Sequence, residues 1–344
     1  MVDDRARGLM VGLAVGNLLG ITTEGRPRSS IARAFPGGVE DIVARPGFPD
    51  DDDLAQAIII AEAARGGDSL DIDDLGRRFW HWADVNGAGM GRLTGAVLSL
   101  YGGGYPLRLA RNRLSGEPRM PGGMPIIEAS RKGWKGGRAG NGALMRTAPL
   151  SILWRDARDR LVCESVVSAA PTHWDVRCGW SCAIANLVTA AALTGTTLGP
   201  DMLMREAEAG MAASLPRLEA YGYDTRAPQS VAAAVDEASV STLDDLRFDG
   251  HEMGYTLLSL QAALVSCWRA EDFEQGLRQV IEAGGDTDTN GAIAGAVLGA
   301  RFGLEGIPER WRRREAEIRA GRIRMEDCAD RLVAAPRERA PLTS

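Results

Sequence analysis

No apolar run in this chain reaches the roughly 20 residues that a bilayer-spanning helix needs. The longest two cover residues 8–21 and 291–303. The N-terminus sets Asp3 and Asp4 beside Arg5 and Arg7, so it lacks the net-positive stretch of a secretion signal. A soluble, cytoplasmic protein without membrane contact is expected. Cysteine is sparse: five residues, odd in number and widely spaced, which gives no disulfide framework. Cys178 and Cys182 stand four apart, yet no second Cys/His pair completes a zinc site, so they are expected to pack in the core. No basic block is present. The net charge is −6, and the Arg-rich pieces at 108–113 and 310–319 are interrupted, which argues against a nucleic-acid partner. Histidine occurs three times, at 81, 173 and 251. Strand signals are poor, because no stretch alternates over more than four or five residues, and no solenoid repeat is found.

What remains is helix. Met10, Leu13, Ala14, Asn17 and Leu18 recur at helical spacing, as do Leu54, Ala57, Ile58 and Ala61. Further helices are expected over 71–84, 88–100, 142–154, 160–170, 175–193, 201–213, 229–238, 253–269, 273–282, 289–302 and 309–320. Caps are expected at Asp68 or Ser69, at Asp272, and at Asp286 or Asp288. Segments 102–140, 215–228 and 239–251 read as connections, the first as a long functional loop. The 344 residues, 45% of them hydrophobic, suffice for one compact all-α domain over 1–335, with a frayed tail over 336–344. Gly291, Gly295 and Gly299 share one helix face. Each costs about 1 kcal/mol relative to Ala, and close approach of a neighbouring helix would offset that cost.

Acidic residues gather at two distant places. Asp50, Asp51, Asp52 and Asp53 run into an apolar helix, and Gly284-Gly285-Asp286-Thr287-Asp288-Thr289 runs into another. A single aspartate there would be a helix cap. Four in a row, and a second pair flanked by threonines, exceed what a cap needs. Brought together, these carboxylates would repel and raise one another's pKa unless a cation intervened. Oxygen-only ligands favour Mg²⁺, Mn²⁺ or Ca²⁺. A third element, Gly136-Gly137-Arg138-Ala139-Gly140-Asn141-Gly142, opens backbone N–H groups toward an anion such as a diphosphate. The fourth is His173, which follows Thr172 just before a helix and could contact a sugar or base.

These motifs, with residues 8–20, Glu24, 89–94 and 303–311, resemble the ADP-ribosylglycohydrolase family, and the likeness spans nearly the whole chain. The resemblance implies a single compact, orthogonal all-α domain and a binuclear Mg²⁺ or Mn²⁺ centre. It implies metal ligands at Asp51, Asp52, Asp53, Asp286, Asp288 and Thr289; a one-residue slip would put the first set on Asp50–Asp52. It implies substrate contacts from Gly137, Arg138, Gly140, Asn141, Gly142 and His173, and a general base among Asp286, Glu24 and Asp53. The implied activity is hydrolysis of the bond at the anomeric carbon of an ADP-ribosyl group, on a protein or a small conjugate. A diverged member could instead cleave a free nucleotide or nucleoside, and a non-catalytic ADP-ribose-binding module is a third possibility. The chain departs from the family at Asn17, where Asp is frequent, at Asp51 and Leu54, where Thr is usual, and at Arg138, where Ser is common. A second histidine after Thr172-His173 is absent.

Overall fold

The computed structural model describes residues 2–104, 120–134, 139–250 and 252–336. Among them there is no strand, and sixteen α-helices carry the fold. The first six are α1 (Val2–Gly20), α2 (Arg28–Ala34), α3 (Asp52–Ala64), α4 (Ile72–Val85), α5 (Arg92–Tyr101) and α6 (Ile126–Trp134). A 3₁₀ turn over Asn141–Arg146 precedes α7 (Pro149–Leu153), α8 (Arg158–Ala169), α9 (Val176–Leu193), α10 (Pro200–Ala220) and α11 (Gln229–Val240). The last five are α12 (Thr256–Arg269), α13 (Phe273–Glu282), α14 (Thr287–Phe302), α15 (Glu309–Ile318) and α16 (Met325–Ala334).

Helices α1 and α14 form the central pair, and their sequences explain why. Glycines recur every fourth residue on both: 8, 12 and 16 on α1, and 291, 295 and 299 on α14. A Cβ on Gly12 would sit 2.2 Å from the Gly295 carbonyl oxygen, and one on Gly16 would sit 1.9 Å from that of Gly291. The two backbones are therefore in direct, antiparallel contact. This contact sets the C-terminus of α1 against the N-terminus of α14. There the Thr287 hydroxyl donates to the Gly20 carbonyl (2.8 Å), and Thr23 Oγ1 donates to Thr287 Oγ1 (3.0 Å). The opposed partial charges of the two helix ends favour that meeting.

Several elements differ from the sequence expectation, each for a local reason. The 102–140 stretch is not one loop, since α6 interrupts it. Helix α5 starts at Arg92 rather than 88, because Gly87 and Gly89 adopt positive φ (56° and 76°). The 142–154 segment divides into the 3₁₀ turn and α7, which takes Pro149 at its start. Helix α10 continues through Pro216 to Ala220, where a connection was expected. Helices α2 and α16 lacked a strong periodic signal. The cap of α4 is Asp71, which accepts from the Asp74 N–H, rather than Asp68 or Ser69. Helix α9 is long and apolar enough to cross a bilayer by length and composition alone, but 89% of it is buried inside the fold. All five cysteines are free and buried.

Candidate metal and active site

Two aspartates stand at helix N-caps without capping. Asp51 precedes α3 and Asp286 precedes α14, and neither side chain makes a capping hydrogen bond. Asp71, Asp175 and Asp272, by contrast, each accept a backbone N–H of the helix they precede. The Asp51 carboxylate instead joins a cluster, while that of Asp286 accepts from Asn141. Oxygens of Asp51, Asp53 and Asp288 lie within 4.8 Å of each other. Asn17, from α1, donates through Nδ2 to Asp51 Oδ2 (2.9 Å) and to Asp53 Oδ2 (3.2 Å). The other oxygens of those two groups, Asp51 Oδ1 and Asp53 Oδ1, are buried and have no hydrogen-bond partner among the described residues.

This crowding sets the electrostatics. Burial lifts the Asp51 carboxyl to about 6, against the pull of the Asn17 amide. Burial, then the Asp51 charge, lifts Asp52 to about 7. Asp53 rises well above the ordinary range through burial and then Asp51 and Asp288; Asp288 does so through burial and then Asp286 and Glu24. Glu24 stands at the solvent-facing rim, where partial desolvation and then the Asp286 charge raise its carboxyl. Thr289 is buried beside these groups, and its backbone N–H donates to Asp288 Oδ1 (2.9 Å).

Asp50 is turned elsewhere. Its oxygens accept from Arg319 Nε (2.9 Å), Arg319 Nη2 (3.2 Å) and Arg322 Nη1 (2.8 Å). Among the described residues, it is the one of the four consecutive aspartates that pairs with arginine. Leu54 is buried in the apolar core and offers no ligand atom.

Glycines admit the neighbouring chain segments. Gly284 and Gly285 both have positive φ (87° and 77°), and a Cβ on Gly285 would lie 1.9 Å from the Phe248 carbonyl oxygen. Gly285 exchanges backbone hydrogen bonds with Gly25 (2.8 Å) and Arg26 (2.9 Å), which carries Glu24 toward Asp286. Gly89 packs over the first motif, where a Cβ would lie 2.5 Å from Asp52 Oδ1.

The glycine-rich turn borders the same cluster. Gly140 pairs with Tyr255, and the Asn141 N–H donates to the Gly254 carbonyl (3.0 Å). The Asn141 side chain donates to Asp286 Oδ2 (2.8 Å) and to Ser259 Oγ (3.0 Å). Asn141, expected from sequence at a substrate oxygen, thus orients a site carboxylate here. Gly142 leaves room for the buried His173, whose Nε2 would lie 3.0 Å from a Cβ at that position. Burial, then the Arg146 guanidinium, pushes the His173 imidazole down to about 3. Gly137 and Arg138 lie outside the described residues. Two contributors escaped the sequence reading: Asn17 as a bridge between carboxylates, and Arg146 behind His173. For Asn17 a signal existed, since a polar residue occupied a core position of the α1 apolar repeat.

Together the fold and site define an all-α protein with a carboxylate centre beside a glycine-rich turn. The model of the family described as ADP-ribosylglycohydrolase matches residues 1–341, and the chain belongs to that family. It is 26% identical to the ADP-ribosyl-[dinitrogen reductase] glycohydrolase of Rhodospirillum rubrum, covering 90% of each chain. It is 25% identical to the ADP-ribosylarginine hydrolase Tri1 of Pseudomonas putida (strain GB-1), covering 90% of this chain and 73% of that one. Among solved structures it is similar to an ADP-ribosylglycohydrolase-related protein complex, with a TM-score of 0.62 and 26% identity over 96% of this chain and 98% of the other.

The residues present fit a hard divalent cation. The donors are all oxygen, three carboxylates converge, and two buried oxygens lack a partner, which would be costly without a cation to face them.

Proposed function

We propose that this protein is a metal-dependent hydrolase that cleaves the glycosidic bond at the anomeric carbon of an ADP-ribosyl group. The observation that carries the reading is the convergence of Asp51, Asp53 and Asp288 beside an Asp286 carboxylate tied to the glycine-rich turn. The relatives' names support the substrate class, since they refer to ADP-ribosylarginine and to an ADP-ribosylated reductase.

Asp51, Asp52, Asp53, Asp286, Asp288 and Thr289 would hold two Mg²⁺ or Mn²⁺ ions. Such ions supply positive charge for ribose hydroxyls and acidify a bound water. The pairing of Asp50 with Arg319 and Arg322 favours the register over Asp51–Asp53. Glu24 is the first candidate to take the proton from the attacking water, because it is raised in pKa and open to solvent. Asp286 is the second; its Oδ2 is fixed by Asn141, and its carboxyl group lies against that of Asp288. Asp53 is fully enclosed and bonded to Asn17, so it is better suited to hold a cation than to exchange protons with substrate. As the bond to the leaving group breaks, positive charge grows at the ribose, and the surrounding carboxylates stabilise it. The backbone of Gly140 and Gly142, with Gly137 and Arg138, would meet the diphosphate.

The test is a substrate screen after chelation, with and without Mg²⁺ or Mn²⁺, read by product mass. ADP-ribosyl-arginine and ADP-ribosyl-serine peptides are compared with free nucleotides and nucleosides. Metal-dependent release of ADP-ribose from a peptide is expected. Asp286→Asn and Asp288→Asn should each lower that rate by about 100-fold or more, with the circular dichroism spectrum unchanged. Turnover of nucleotides alone would replace this substrate class, and ADP-ribose binding without any hydrolysis would replace the activity.

A further inference from the structure

His173 is held by a chain of three side chains. Arg146 Nη2 donates to Thr172 Oγ1 (2.8 Å), and Thr172 Oγ1 lies 2.8 Å from His173 Nδ1. Arg146 is itself fixed. Its Nη1 donates to Gln56 Oε1, its Nη2 donates to the Ser168 carbonyl (3.1 Å), and its Cζ lies 4.1 Å from the Phe79 ring centroid. All of Arg146, Thr172 and His173 are buried. A guanidinium only donates, so Thr172 Oγ1 must accept from it. Nδ1 is then the acceptor that Thr172 finds for its own proton among the described residues. The reverse arrangement, with Nδ1–H donating to Thr172, would leave a buried hydroxyl proton unsatisfied, which is the costlier state. A neutral ring that accepts at Nδ1 carries its proton on Nε2. That nitrogen faces the glycine-rich turn at Gly140 and Gly142.

We propose that Thr172 and Arg146 are positioning residues that lock His173 as its Nε2–H tautomer, so that it meets the substrate as a hydrogen-bond donor to a diphosphate or ribose oxygen and not as a base. The identity of the ligand rests on the ADP-ribosyl reading; the tautomer does not. Burial beside Arg146 keeps the ring uncharged, consistent with a donor of fixed polarity. A neutral donor binds an oxygen without exchanging protons with it as pH varies.

Long-range ¹H–¹⁵N correlation spectra of the ¹⁵N-histidine-labelled full chain test this directly. The chain has three histidines, and His173→Asn identifies the relevant signals. In the ligand-free protein, His173 is expected to show a protonated Nε2 and an unprotonated Nδ1. Thr172→Val, close in shape but without the hydroxyl, should give a mixture of tautomers, and Thr172→Ser should restore the single form. ADP-ribose should shift the Nε2–H signal on binding. Thr172→Val should weaken ADP-ribose binding about tenfold, the loss of roughly one hydrogen bond, and should raise KM more than it lowers kcat. A protonated Nδ1 in the ligand-free protein, or a Thr172→Val spectrum identical to the wild type, overturns the lock. Binding of ADP-ribose with no change at Nε2 overturns the donor role. Absence of ADP-ribose binding refutes the substrate class instead, and the ligand-free spectrum still decides the tautomer.

Discussion

Asn17 holds two carboxylates that would otherwise face each other with nothing between them. Its single amide group donates to Asp51 and to Asp53. Asn17→Ala should therefore cost about 1–3 kcal/mol in chelated protein, the usual range for stranding buried polar partners, and less when divalent metal is present. Urea midpoints with and without Mg²⁺ measure both values. The same crowding predicts an unusual pH dependence. Asp51 and Asp52 titrate near 6 and 7 in the folded chain without metal, above the ordinary value of 3.8 that the unfolded chain keeps. Between those limits the folded state binds more protons than the unfolded state, so stability falls as pH rises. The metal-free protein should melt at progressively lower temperature from pH 4 to pH 7.5. Mg²⁺ or Mn²⁺ should reverse the loss at pH 7.5 and do little at pH 4, where protons already occupy the carboxylates. A melting temperature that climbs with pH over this window in chelator would show that these carboxyls are not raised.

At the scale of elements, backbone contact between α1 and α14 decides where the site forms. A methyl group at Gly16 has no space, since it would lie 1.9 Å from the Gly291 carbonyl oxygen. Gly16→Ala should cost about 1–3 kcal/mol as overpacking, seen as a lower denaturant midpoint with an unchanged slope. Activity should fall further than stability, because Asn17 is the next residue and α14 carries Asp288. Gly199→Ala is the control for glycine loss alone, since nothing lies within 4 Å of its Cβ position and its φ is −75°. Much of this layout was legible in the sequence. The period-four glycines on α14 announced a close helix partner, and the two acidic motifs announced a shared centre. Less legible were contacts that depend on tertiary placement. Asp286 was legible as a helix cap or a metal ligand, but the hydrogen bond it accepts from Asn141, 145 positions away, was not. The start of α5 slipped because glycines at positive φ look the same in sequence as glycines tolerated in a helix. Helix α16 was missed because its polar ends masked a short apolar face that includes Cys328, Ala329 and Leu332.

Across the whole molecule, the first acidic motif is anchored to the far end of the chain. Asp50 accepts three hydrogen bonds from Arg319 and Arg322, 269 and 272 positions away, and Arg319 also pairs with Glu315 (2.9 Å). The Arg319 side chain is only 2% exposed, so its own bonds are largely shielded from water and salt. Removing one member of such a network strands the others, at a typical cost of about 3–5 kcal/mol. Arg319→Ala should therefore lower the urea midpoint strongly. Arg313→Ala, whose partner Glu309 is 73% exposed, should change it by less than about 0.5 kcal/mol. The consequence for the site is distinct from the loss of stability. Held by Arg322 alone, Asp50 can turn toward the site as a fourth carboxylate beside Asp51, Asp53 and Asp288 and compete for the cation. Asp50→Asn in the Arg319→Ala background removes that competing charge and should recover much of the Mn²⁺ affinity, measured by electron paramagnetic resonance of free Mn²⁺, while recovering less of the stability. Equal recovery of both, or of neither, would mean that the arginines support the fold alone and leave the metal turn untouched.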